Sequence, residues 1–181
     1  RQPRRARPAH AGLYHWIELE RAGAGLGGDF DYARALADLR GVLRLTPGAI
    51  LVLRAAAGTT TTGALPPQKE FTLGGVDGLR AHAFARYRGE QLLLGQAEGT
   101  VALPFPGRDA AHAGPHVIAF VDAGDAWTSD SHAWDPARRQ IKVDGGLGLT
   151  TAEDNMRIYV ARNLQRARAS AVFSVRLQRP F

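Results

Sequence analysis

The sequence predicts an antiparallel all-β fold of the transmembrane-barrel type, on three observations. The dominant hydropathy period is two, not 3.6. Turn residues punctuate the chain throughout, with 21 glycines and 10 prolines among 181 residues against a single methionine. There is no run of about eighteen apolar residues, the length a membrane-crossing helix needs, whereas a crossing strand needs only about ten and faces lipid on one side.

Taken in order, residues 13–19 read Leu-Tyr-His-Trp-Ile-Glu-Leu, a strand with mixed faces. Glycines through Gly28 mark a turn, and a second strand runs over residues 30–45. Residues 33–39 could pass for a short helix, but strand signals flank them on both sides. Thr46-Pro47-Gly48 is a tight-turn signal, so the third strand, residues 49–57, forms a hairpin with the second. Residues 58–88 lack alternation and contain Thr59 to Thr62, Pro66-Pro67 and Gly74-Gly75. A loop this long is uncommon and usually functional or disordered. Five more strands are expected at residues 90–104, 116–127, 141–150, 156–163 and 169–178, each bounded by Gly, Pro, Asp or Asn. The last shows the alternation best: Ala171, Phe173, Val175 and Leu177 share one face, and Ser170, Ser174, Arg176 and Gln178 share the other, with Val172 the exception. In the strand before it, Met156, Ile158 and Val160 alternate with Arg157, Tyr159 and Ala161. A soluble sandwich would alternate too, with its apolar face inward, so periodicity alone leaves both readings open.

Composition narrows the function classes. Hydrophobic residues at 45% and charged residues at 22% exclude a disordered tail. The absence of cysteine excludes disulfides and thiolate-held zinc. The net charge is +6, and four arginines crowd into Arg1 to Arg7. Such an arm could meet nucleic acid or anionic lipid, but no nucleic-acid motif or aromatic-interleaved basic patch follows it, and a linker is the simpler reading. Residues 1–11 are therefore expected to be a basic linker or a truncated upstream strand, and residues 12–181 the barrel region. The chain opens at Arg1 without methionine or a signal-like segment, which suggests a piece of a longer protein.

Three features carry the functional expectation: Gly74-Gly75-Val76-Asp77-Gly78-Leu79-Arg80 in the long loop, Glu98 in the next strand, and Phe120-Val121-Asp122-Ala123-Gly124 in the strand after that. Alternation puts Phe120, Asp122 and Gly124 on one face and Val117, Ala119 and Val121 on the other, which suits lipid. In the preceding strand Gln96, Glu98 and Thr100 oppose Leu93, Ala97, Val101 and Leu103. Glu98 and Asp122 can thus both face the interior, where two carboxylates need a cation. Arg80 is the candidate, because its planar guanidinium engages carboxylates bidentately. The neighbouring glycines let the loop turn sharply and approach the wall.

With these residues in view, the chain resembles the C-terminal region of the bacterial surface antigen family, within the superfamily of outer-membrane assembly and secretion barrels that includes BamA-like and TamA-like proteins. Members of that family are similar in a lumenal loop with a Gly-Gly pair before an aliphatic-Arg-Gly-aromatic tetrad. Leu79-Arg80 matches its first half, while Ala81 and His82 stand where the family has glycine and an aromatic. Phe120, Asp122 and Gly124 match the family's Phe-x-Asp-x-Gly, Glu98 its strand glutamate, and Phe181 its terminal aromatic, with Phe173, Val175 and Leu177 completing a C-terminal assembly signal. The resemblance covers residues 12–181. It implies the last eight strands of a barrel of about sixteen, with a lumenal loop between the third and fourth strands of the chain. It also implies insertion or translocation of proteins at the bacterial outer membrane, without enzyme activity, cofactor or metal. The partners implied are outer-membrane lipid, the N-terminal half of the same barrel, unfolded client proteins and periplasmic assembly factors, with no nucleic acid. A complete eight-stranded barrel competes structurally, but its interior is filled by side chains and leaves no room for a loop of roughly thirty residues. Two other functions stay open at this point: a membrane anchor for an upstream enzyme such as a patatin-like phospholipase, and a soluble ligand-binding β-barrel.

Other signals point less far. The glycine run from Gly23 to Gly28 lacks the strand and helix that a dinucleotide fingerprint needs. His112 and His116 have a metal-like spacing but no third ligand. Ser129, Asp130, Ser131 and His132 lack the glycine elbow of a serine hydrolase. Asp122 with Asp125 could be a catalytic pair, although a structural partnership with Arg80 fits better. Trp16, Trp127, Trp134, Tyr14 and Phe105 near strand ends would suit interfacial girdles.

Overall fold

The computed structural model describes residues 11–23, 25, 29–104, 114–128, 136, 139–152 and 154–177. The basic arm, Ala24, Leu26 to Gly28, Phe105, His112, Ser129 to His132, Trp134 and Phe181 lie outside the described residues.

Eight strands form one antiparallel sheet: β1 (Gly12–Ala22), β2 (Tyr32–Thr46), β3 (Ala49–Thr62), β6 (Gln91–Ala102), β7 (His116–Trp127), β8 (Lys142–Thr150), β9 (Met156–Asn163) and β10 (Val172–Leu177). Their spatial order is their chain order, interrupted only where residues 63–90 leave the sheet and build a small ladder of β4 (Phe71–Leu73) and β5 (Tyr87–Gly89). Nearest-neighbour pairing of this kind needs only hairpins and simple reversals. Among the described residues β1 and β10 remain edges, and the sheet is not closed.

The two faces are inverted relative to a soluble sandwich. Leu19 (78% exposed), Leu147 (62%), Phe173 (65%) and Leu177 (76%) stand out on one face. The other face carries Arg54, Gln96, Asp122, Asp144 and Asn163, several of them buried. An apolar face without protein cover and a polar, hydrogen-bonded face opposite it is the pattern of a sheet solvated by lipid outside and by a polar lumen inside. The register sharpens this. Arg40 pairs with Arg54, Arg54 with Gln96, Gln96 with Asp122, Asp122 with Asp144 and Asp144 with Asn163, a polar rung with one residue per strand from β2 to β9.

Residues 63–90 fold back over this interior face. Their root is apolar: Leu65, Phe71, Leu73 and Leu79 pack with Tyr32, Ala56, Leu92 and Leu94. Gly58 on β3 makes the contact possible, since a Cβ there would lie 2.7 Å from the Phe71 ring. The backbone N–H and hydroxyl of Thr60 both donate to the Glu90 carbonyl, at 2.9 and 3.0 Å, closing the loop's base.

Several sequence expectations are corrected. Thr59 to Thr62, read as loop, extend β3, because β-branched residues suit a pleated ladder and Thr60 has a partner across the loop base. The expected structureless stretch holds the β4–β5 ladder. The last strand begins at Val172, not residue 169. Trp127 is buried beneath Arg139 rather than standing in a lipid-facing girdle, and Trp16 sits mid-strand on the face of Glu18 and Glu20.

Candidate functional site

The loop tip is shaped by its own backbone. Gly74 and Gly75 adopt φ of 124° and 84°, and a Cβ on Gly74 would lie 2.3 Å from the Ala83 carbonyl oxygen. Only glycine meets both conditions without strain. Gly75 N–H donates to the His82 carbonyl at 2.9 Å, and His82 N–H donates to the Leu79 carbonyl at 3.1 Å, so residues 79–82 form a tight turn. Leu79 buries completely in the root cluster. That fixes the direction in which Arg80 leaves the turn.

Arg80 points at the sheet wall. Its Nε and Nη2 donate to Oδ2 and Oδ1 of Asp122, each at 2.8 Å, a bidentate pair, and its Nη1 donates to Glu98 Oε2 at 2.5 Å. The guanidinium stacks over the Phe120 ring at 3.6 Å and sits 5.0 Å from the Tyr159 ring, which meets Phe120 edge-on. Arg80 is 5% exposed and Asp122 fully buried, so each is a charge that the other must neutralise. Burial alone would push the Arg80 guanidinium down; hydrogen bonds and charge from Asp122 and Glu98 outweigh it and hold the group above its ordinary value. Arg80 is therefore a permanent cation.

The structure thus brings together Gly74, Gly75, Leu79 and Arg80 from the loop with Glu98, Phe120, Asp122 and Gly124 from the wall. Gly124 keeps β7 low beneath the loop: a Cβ there would lie 2.5 Å from the Leu93 carbonyl oxygen and 3.1 Å from Leu73 Cδ2. Phe173, Val175 and Leu177 are elsewhere, on the outward face of edge strand β10. Asp125 does not share the Arg80 site; it binds Lys142 at 2.6 Å instead. His116 opens β7, away from any metal-holding group among the described residues.

Sequence reasoning missed six participants. Gln96 donates to Asp122 Oδ1 at 3.0 Å and to the Gly78 carbonyl at 2.9 Å. Asp144 accepts the Ala81 N–H at 2.9 Å and Asn163 Nδ2 at 3.2 Å. Tyr159 supplies a ring to the cation. Arg157 donates to the second oxygen of Glu98 at 2.6 Å and is itself held by Asp154 at 2.5 Å. Glu98 is thus shared by two arginines, and a charged chain runs from Asp122 through Arg80, Glu98 and Arg157 to Asp154 in the turn between β8 and β9. The available signal was the interior parity of Asp144 and Arg157 in strands already recognised. Ala81 also finds a local explanation: its φ is not positive, so a methyl group fits where the family has glycine, and it packs on the Ile118, Phe120 and Tyr159 cluster.

A family model described as the Omp85 superfamily domain matches residues 7–181. Among solved structures, BamA from Haemophilus ducreyi, determined without POTRA domains 1–3, superposes with a TM-score of 0.70 at 15% identity, over 92% of this chain and 39% of that one. The present chain therefore spans well under half of that relative, and at this identity the likeness concerns the fold. No curated protein sequence matches.

Proposed function

The chain belongs to the Omp85 superfamily of bacterial outer-membrane β-barrel proteins, and on that premise we propose that it forms the C-terminal half of a barrel of about sixteen strands that inserts or translocates other proteins. The observation that carries the proposal is the loop bound to the polar face of the sheet by Arg80, Asp122 and Glu98. A wall that wraps a loop of this size needs more strands than the eight described here. In lipid the free edges of β1 and β10 need pairing, and strands outside residues 12–181 supply it.

Barrels of this type have short periplasmic turns and long outer loops. The connections after β2, β6 and β8 leave one end of the sheet, those after β2 and β8 as tight turns, and residues 63–90 leave the other. The loop accordingly enters the lumen from outside. Arg80 holds it there, and client proteins and periplasmic factors meet the barrel from the opposite end. The outward-facing Phe173, Val175 and Leu177, with Phe181, serve as the signal by which the barrel is itself assembled. The barrel works by binding and shape, without covalent chemistry.

The test is a gel of the native outer-membrane fraction, heated and unheated, probed with an antibody against this segment. A band well above 19.5 kDa whose mobility shifts on heating is expected. A soluble band at that mass without a shift would overturn the proposal.

A further inference from the structure

The Arg80 site leaves a neighbouring cavity unused. About 490 Å3 lies between the loop and the outer ends of β8 and β9, and its lining includes His82, Arg139, Lys142, Asn163, Gln165 and Arg166. The charged groups of its described lining are all basic, with no carboxylate among them. Among the described residues, two acids that touch this lining are already engaged: Asp125 with Lys142, and Asp144 with the Ala81 N–H, Asn163 and His82. Lys142 is positioned by Asp125 and lies 4.5 Å from the centre of the Tyr87 ring. Arg139 stacks over Trp127 at 5.5 Å, and its Nε is buried with no hydrogen-bond partner among the described residues. A buried guanidinium N–H left open is costly in a folded protein and marks a place where an acceptor belongs. His82 adds a polar ring to the same wall, at the position where the family tetrad has an aromatic; its Nδ1 meets the Tyr87 hydroxyl at 3.3 Å.

We propose that this cavity binds a phosphate-class oxyanion at the outer mouth of the barrel, with Arg139 and Arg166 as the principal ligands and Lys142 as supporting charge. Two guanidinium forks and an ammonium suit a doubly charged tetrahedral group, which offers acceptors in several directions. The volume exceeds that of phosphate alone and leaves room for the group that bears it. Two sources share this chemistry: the phosphorylated headgroup of a glycolipid in the outer leaflet, and free phosphate. The site's chemistry stands on these residues, and only its outward placement rests on the barrel reading.

The experiment uses the full-length protein in detergent, titrated with inorganic phosphate at constant ionic strength set with chloride. Binding is read by calorimetry and by tryptophan fluorescence, with Trp127→Phe identifying the reporter. Saturable binding is expected, weakened about tenfold or more in the Arg139→Gln/Arg166→Gln double variant. Arg166→Gln alone, expected to give a smaller loss, replaces the double variant if that one fails to show a heat-modifiable band. No saturation, or equal binding by parent and variant, would overturn the proposal. A second arm adds phosphorylated or dephosphorylated glycolipid in mixed micelles. Competition by the phosphorylated form only assigns the site to the headgroup, and no competition assigns it to free phosphate. Neither arm depends on protein transport, so a failure here is distinct from a failure of the gel test.

Discussion

The loop is fastened to the sheet in two chemically different ways. At its root, Leu65, Phe71 and Leu73 press on Tyr32, Ala56, Leu92 and Leu94, an ordinary apolar core that happens to lie inside a polar-faced sheet. At its tip, Arg80 is bound by Asp122 and Glu98 over Phe120 and Tyr159. The root resists release through buried area, which is non-directional and tolerates repacking. The tip resists through geometry: a fork, two carboxylates and two rings must coincide, and removing one leaves another buried charge uncompensated. The root therefore secures the loop's presence and the tip its position.

That contrast can be broken from either side, using loop protection in the full-length protein as the readout. Asp122→Ala should have the largest effect, because it leaves Arg80 buried with one carboxylate; a loss of about 3–5 kcal/mol in loop docking is expected. Protease cleavage between residues 75 and 85 should rise steeply while the heat-modifiable band persists. Phe71→Leu at the root keeps most of the buried area and should cost about 1–2 kcal/mol, read as a lowered temperature of mobility shift with the tip still protected. Arg157→Gln removes the second partner of Glu98 but leaves Arg80 bidentate on Asp122, so a loss of about 1–2 kcal/mol and a modest rise in cleavage follow. Lys69→Ala is the smallest: its side chain is 40% exposed where it meets Glu20, and such pairs contribute at most about 1 kcal/mol. If Phe71→Leu exposed the tip as strongly as Asp122→Ala, the division between root and tip would fail.

The two regions also differ in how far the sequence alone reached. Strand alternation, the Thr46-Pro47-Gly48 turn and the spacing of Phe120, Asp122 and Gly124 are local signals, and they located the sheet and the wall beneath the loop. The root was illegible because Phe71 and Leu73 sit in a stretch without periodicity; their burial depends on Gly58, a glycine on another strand that leaves room for a ring. Thr59 to Thr62 were lost for the same reason, since they pair with Ala33 to Ala35 on β2 and, in the case of Thr60, bond Glu90 thirty residues away. Asp144 and Arg157 were visible as inward residues of recognised strands, but their partners follow from register, which alternation does not give. Trp127 shows the converse: a tryptophan at a strand end fits a girdle by position, yet here the loop base and Arg139 cover it.

The most direct measurement of the central claim is thiol accessibility at the loop tip. These 181 residues contain no cysteine, so Ala81→Cys places a single reporter beside Arg80 in this region. Outer-membrane fractions carrying the full-length protein would be treated with a membrane-impermeant maleimide. Slow labelling is expected in the Ala81→Cys protein, and labelling about tenfold faster or more when Asp122→Ala is added. Equal labelling of the two would mean that Arg80 and its carboxylates do not hold the loop against the wall, and the account of this site would fall.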